Sequence, residues 1–219
     1  MSDVSWREYW ESPDAKVHGE TSDESFDNYA GIVTKHLLPK KGELILDVGC
    51  GEGSLTNRIK DRSGANLVGV DFSENLLKKA RKKDATITWI QQDALKDFPF
   101  KSGSFDKIFS FGFLQYIPNN KVKHLIRECK RILKNGDANI ITHLDVPNKS
   151  KIRLFYKSPR ARAMLLFYRI FRNGNTPGIG YWFTEKEIKR IAKELGLDVE
   201  IKTSSYYRFH LIFKKVNRN

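Results

Sequence analysis

The residues with the most chemical content lie between Leu44 and Thr56, in the run LILDVGCGEGSLT. Gly49, Gly51 and Gly53 follow a short apolar stretch and open what reads as a helix. Glycines so placed permit a tight turn and close approach of a ligand to the backbone, and the helix start turns N–H groups toward polar or anionic atoms. Two phosphate motifs are excluded. A dinucleotide fingerprint needs glycine at position 54, which is Ser54, and a P-loop needs a closing G-K-[ST] that this loop lacks. Asp47 stands just ahead of the glycines, and a carboxylate there repels pyrophosphate but attracts an ammonium. Asp71 and Asp93 follow the next two apolar runs. Loop and acids are therefore expected at the carboxyl ends of successive strands, the edge at which open α/β sheets bind ligands.

Positioning those groups takes a sheet. The runs ELILDVG, NLVGVD (66–71), ATITWI (85–90), FDKIFSF (105–111) and ANIITHL (138–144) predict buried parallel strands. Helices are predicted over 24–38, stopping before Pro39, over 54–61, from a cap at Ser73 to Lys83, and over 120–133. Thr184 and Glu187 form a capping box opening another helix, which stops at Gly196. LDVEIKTS and YYRFHLIFKK follow with a link too short for a parallel crossover, so they are expected to pair antiparallel. The fold class predicted is α/β: a doubly wound, Rossmann-like, seven-stranded sheet, mostly parallel with an antiparallel last strand and helices on both faces.

At 219 residues the chain is expected to form one domain. No apolar run is long enough to span a bilayer, and the acidic start MSDVSWREYWESPD lacks the core of a secretory signal, so a cytoplasmic location is expected. Cys50 and Cys129 are the only cysteines, which excludes a disulfide framework and a four-thiolate zinc site. No grouping of His, Asp and Glu has metal-ligand spacing, and no metal is predicted. The formal net charge is +13, although residues 1–30 hold eight acids and only two bases. A basic body suggests acidic partners, and equally a lysine-rich solvated surface. Residues 1–38 read as an aromatic arm (Trp6, Tyr9, Trp10) and a helix over the site. Residues 146–183, too long for a simple connection, read as a basic lid insertion with a helix over Pro159–Asn173.

The motif DVGCGEG and the pieces around it resemble the class I S-adenosylmethionine-dependent methyltransferases, in particular their small-molecule "type 11" group, over about Gly42–Lys215. The resemblance implies S-adenosyl-L-methionine as cofactor and S-adenosyl-L-homocysteine as product. It implies that Asp47, Gly49, Cys50, Gly51 and Gly53 hold the methionine part, that Asp71 accepts from both ribose hydroxyls, and that Phe72 packs on the adenine. Asp93 would accept from the adenine amino group and Ala94 would offer its N–H. The segment SFGFLQY, with Ser110, Gln115 and Tyr116, would close over the cofactor. It departs from the family in lacking a frequent histidine, Gln115-Tyr116 standing in its place.

An acceptor hydroxyl needs a base, whereas an amine needs only its neutral form. His143, expected at the carboxyl end of the fifth strand beside Asp145, is the first candidate, with His18 in the arm second; Tyr116 is also placed among the catalytic candidates. Tyr116, Tyr181 and Trp182 are candidates for the acceptor pocket, or for packing alone. Lys149–Arg172 contains eight Lys/Arg and no acid. Arg153, Arg160 and Arg162 would meet a carboxylate or phosphate of the acceptor, or the segment would lie on an anionic membrane, or it would pack as a lid with a solvated basic edge. The reading that results is O-methylation of a small or mid-sized acceptor such as a sugar or phosphorylated metabolite. The alternatives are an RNA (tRNA) methyltransferase, a lipid methyltransferase and a non-catalytic cofactor-binding partner; oligomeric state is left open.

Overall fold

The computed structural model describes residues 6–12, 23–136, 138–159, 162–163, 165, 179–204 and 207–216. Seven strands form one sheet: β1 (Leu44–Val48), β2 (Asn66–Asp71), β3 (Thr88–Gln91), β4 (Lys107–Phe111), β5 (Ile140–Pro147), β6 (Leu197–Thr203) and β7 (Arg208–Lys215). Their order is β3-β2-β1-β4-β5-β7-β6. The first five run parallel, and β7 inserts antiparallel between β5 and β6. The class read from the sequence is the class observed.

Among the described residues, helices α1 (Trp6–Glu11), α2 (Asp23–Leu37), α3 (Ser54–Ser63), α4 (Glu74–Lys83), α5 (Asn119–Ile132), α6 (Ile152–Phe155) and α7 (Glu185–Glu194) accompany the sheet. Because alternate strand residues point to opposite faces, β1 feeds two cores. Ile45 joins a cluster with Ala30, Val33 and Leu37 of α2, Ile59 of α3 and Leu77 of α4. Leu46 and Val48 join Val122, Ile126 and Ile132 of α5 and Ile188 of α7 on the other side. Lys107, fully buried in β4, is accommodated by Glu43 Oε2 at 2.8 Å and the carbonyl of Leu38, just past the C-terminus of α2. That placement suits the negative end of a helix. The capping box at α7 is present, with Thr184 Oγ1 accepting from Glu187 N and Glu187 Oε2 accepting from Thr184 N.

Two strands differ from their expected bounds by three residues at one end. β3 starts at Thr88 rather than residue 85, because the Asp84 carboxylate accepts from both Thr86 N and Thr86 Oγ1 and turns that segment out of the sheet. β5 continues three residues beyond Leu144, through an irregularity in its pairing with β7 between His143 and Val146. Asp145 lies in that irregularity with φ 59°, a left-handed conformation uncommon outside glycine. The predicted helix over Pro159–Asn173 falls largely outside the described residues. Among the described residues no helix is long and apolar enough to cross a membrane.

Candidate active site

The carboxyl ends of the parallel strands border a cavity of about 600 Å³. A second, of about 90 Å³, adjoins it; Trp10, Gly49, Asp71, Phe72, Phe113 and Tyr116 line both. Glycine is obligatory at the loop for two reasons. Gly49 and Gly53 have φ near +75°, and a Cβ on them would fall 2.2 Å from the Phe113 ring and 2.6 Å from the Trp89 ring. The N–H groups of Gly49 and Cys50 are bonded to the carbonyl of Val70, and that of Gly51 to Asp71 Oδ2 at 2.9 Å. The loop is thus stitched to the end of β2.

Asp71 accepts one backbone N–H on each oxygen, from Gly51 and, at 2.9 Å, from Ser73. Four lone-pair sites on a carboxylate leave acceptor capacity on both oxygens. Burial raises its pKa, and the backbone N–H groups of Ser73, Gly51 and Phe72 oppose that rise. Asp47 is buried beneath the loop, held by Thr56 Oγ1 at 2.6 Å, and burial pushes its carboxyl up to about 7. Cys50 borders the same cavity with its thiol pushed far up by burial.

Phe72, Asp93 and Ala94 line the smaller cavity. Helix α1 lies over them. Ser73 Oγ donates to the carbonyl of Trp10 at 2.6 Å, Trp6 and Trp10 pack edge-on against Tyr116, and the Arg7 guanidinium sits 5.1 Å from the Phe72 ring centroid. Arg7 Nη2 also donates to Asp93 Oδ2 at 2.6 Å, so this acid already has a partner from the arm.

Three of the residues singled out in the sequence lie deeper than expected. His143 is the fourth of eight residues in β5, fully buried, and lines neither cavity. Its Nδ1 shares a 2.7 Å hydrogen bond with Ser110 Oγ, not with Asp145, and burial lowers its pKa to about 4. Ser110 is consumed by that bond and also lies away from the cavities. Gly53 supports the loop from below without lining either cavity. Gln115 and Tyr116 do line the large one, and burial pushes the Tyr116 hydroxyl up to about 12.

On the acceptor side the correction is larger. Arg153 and Arg162 are exposed and line neither cavity; Arg162 Nε reaches the carbonyl of Tyr156. Tyr181 is tied by its N–H to the carbonyl of Gln115, and Trp182 is buried among Phe155, Tyr156 and Tyr207; both stand behind the wall. His18 and Arg160 lie outside the described residues. The wall itself is made by Phe26, Tyr29, Phe111, Phe155, Tyr207 and Ile179, with Asp145 and Arg208 as its charged pair. Arg208 is hidden in what reads as an ordinary apolar strand; its one signal is a charge inside the run YYRFHLIFKK.

Residues 45–136 match the family model described as a methyltransferase domain. The chain thus carries a methyltransferase domain. It is similar to the demethylmenaquinone methyltransferase of Staphylococcus aureus, 28% identical over 204 residues that cover 84% of this chain and 80% of the relative. A Methanosarcina mazei protein described as a SAM-dependent methyltransferase shares the fold with a TM-score of 0.66 at 19% identity, over 85% of this chain and 98% of that one. So does the magnesium protoporphyrin IX methyltransferase of Synechocystis with S-adenosylhomocysteine bound, at a TM-score of 0.61 and 20% identity, over 97% and 93%.

The methyl donor that the DVGCGEG motif implies is S-adenosyl-L-methionine. The residues present fit it. The glycine cradle excludes any side chain at Gly49, Asp71 keeps acceptor capacity on both oxygens, and Asp47 places a titratable carboxyl at the cavity.

Proposed function

We propose that the large cavity holds both the donor and a small acceptor, and that the methyl group is transferred to an acceptor oxygen. The observation that carries this reading is the two-ended lining: Asp47, Gly49, Gly51 and Asp71 at one end, an aromatic wall with Asp145 and Arg208 at the other. When bound, the cofactor supplies an electrophilic methyl group on a sulfonium. Asp71 would take the ribose hydroxyls, Phe72, Asp93 and Ala94 the adenine, and Asp47 with the glycine loop the amino-acid end. The aromatic wall excludes water and orients a flat acceptor. His143 stays neutral and out of reach of the cavity, so its role is to brace β4 against β5 through Ser110. Tyr116, protonated at neutral pH, is a hydrogen-bond donor there rather than a base. A base for a hydroxyl must then come from the cavity lining, where Asp145 is the carboxylate on the acceptor side.

A second reading has its own support. Phe155, which lines the cavity, and its neighbour Leu154 are exposed, with Lys151, Arg153 and Lys157 close by in sequence, and the staphylococcal relative is named for a quinone substrate. A membrane-held acceptor would use that stretch. Transfer of labelled methyl from S-adenosylmethionine into a cell extract separates the readings. Label in small aqueous molecules is expected; label in lipid favours the second reading, and label in RNA overturns both.

A further inference from the structure

Arg208 opens β7 and is 12% exposed in the cavity wall. Its polar contacts among the described residues are all made by one nitrogen. Nη1 lies 2.8 Å from Gln115 Oε1, 2.7 Å from the carbonyl of Asp145 and 3.2 Å from Asp145 Oδ2. The guanidinium carbon sits 5.2 Å from the ring centroid of Tyr207. Nε and Nη2 have no partner among the described residues. The guanidinium is thus fixed in place by three oxygens on one nitrogen and a ring beneath it, while its other edge is uncommitted.

Three N–H groups remain on that edge, and solvent can satisfy them until a ligand arrives. Once a molecule fills the cavity, it must bring acceptor oxygens or leave those donors unpaired, which is unfavourable. The Nε–Nη2 fork matches two oxygens on one centre, as in a carboxylate or a phosphate. Phe26, Tyr29, Phe111 and Phe155, which line the same cavity, favour a flat apolar body. We propose that the free edge of Arg208 is the specificity site for the acceptor, binding a carboxylate or phosphate carried on a flat, apolar molecule. This rests on the methyl-transfer reading. It places recognition of the anion on the sheet rather than on Arg153 or Arg162.

The same oxyanion chemistry could come from the carboxylate of the cofactor, so the test must separate the two. Arginine Nε–H signals would be followed by 15N NMR in the full chain saturated with S-adenosylhomocysteine, the Arg208 signal being assigned by its loss in Arg208→Lys. If that variant does not fold, through-bond assignment in the wild type replaces it. Benzoate and phenyl phosphate are the probes and benzamide the neutral control, each to about 10 mM, which reaches millimolar affinities. The expected result is a saturable shift of the Arg208 signal with at least one anion and none with benzamide. No shift with either anion, or an equal shift with benzamide, overturns the proposal. A shift caused by S-adenosylhomocysteine but not by methylthioadenosine, with no further response to the anions, assigns the edge to the cofactor and also overturns it. Failure of S-adenosylhomocysteine to bind would count against the cofactor reading instead, and the anion titration of the ligand-free protein would still decide this one.

Discussion

The end of the cavity proposed for the donor is floored by residues 47–94, one β-α-β-α-β stretch of chain, under a cover from α1, Phe113 and Tyr116, whereas the end proposed for the acceptor gathers Phe26, Tyr29, Phe111, Asp145, Phe155 and Arg208 from all over it. The donor end is acidic and stitched together by backbone bonds such as Gly51 N to Asp71. The acceptor end is aromatic and carries its charge as a pair between the irregularity of β5 and the start of β7. A class that shares a methyl donor but not an acceptor needs this division. The first end can keep one local geometry while the second is rebuilt from loops and edge strands.

The sharpest way to break the comparison is at Asp71. Asp71→Ala removes two acceptor oxygens from a ligand diol and frees the loop at Gly51. S-adenosylhomocysteine affinity should fall by about 100-fold or more, at ~1.5–3 kcal/mol for each hydrogen bond to a charged group. Affinity equal to wild type in a calorimetric titration would mean that the donor site has been misplaced.

His143 tests whether the interior beneath the two ends is chemical or structural. Its pKa is about 4 in the folded chain against about 6.5 unfolded. The unfolded state therefore binds more protons between those values, so the stability it contributes is complete above about pH 6.5 and is lost as pH falls toward 4. His143→Gln should lower stability by roughly 1–3 kcal/mol at neutral pH, from lost packing and the lost bond to Ser110, and should flatten part of the acid limb of the unfolding curve. Its turnover should keep the wild-type pH profile. A profile that lost a limb near pH 6–7 would restore His143 as a base.

Asp47 offers a subtler probe of the donor end. Burial holds its pKa near 7 in the folded chain, above the unfolded 3.8. The folded state thus binds the extra proton, and stability declines as pH rises from about 4 to about 7, then levels. An ammonium placed beside it reverses the preference. Binding of S-adenosylhomocysteine should release roughly one proton at about pH 6 and almost none at about pH 8.5. Calorimetry in buffers of different ionisation enthalpy reads this directly, and identical heats across buffers at the lower pH would contradict it. The smallest effect should come from Arg7→Ala. Its ion pair with Asp93 is half exposed, so stability should change by less than about 1 kcal/mol. Release of S-adenosylhomocysteine, followed by stopped flow, should nonetheless quicken as the cover over Phe72 loosens.

Where the sequence is legible, the physics is local. A strand running into a glycine turn, an acid at the next strand end and a capping box each write their geometry within a few residues. Asp47, Gly49, Gly51 and Asp71 are therefore placed together by local pattern, and they do share one cavity, with Phe72, which the family resemblance added, beside them. His143 shows the limit. By its apolar pattern its strand ends at Leu144, and only the pairing with β7 carries β5 on to Pro147 and sinks the histidine in the sheet. Arg7 reaches Asp93 across 86 positions, and Arg208 reaches Asp145 across 63, separations at which no local pattern signals contact.

The sequence by itself determined the doubly wound sheet, the glycine loop and the row of acids at its edge, because strand burial, helix caps and left-handed glycines are properties of short stretches. Only the tertiary structure decided which aromatic residues wall the far end of the cavity, that Asp145 turns out of its strand, and that Arg208 rather than Arg153 or Arg162 lines the cavity. Those outcomes depend on β7 inserting beside β5, a long-range pairing set by the packing of the whole sheet.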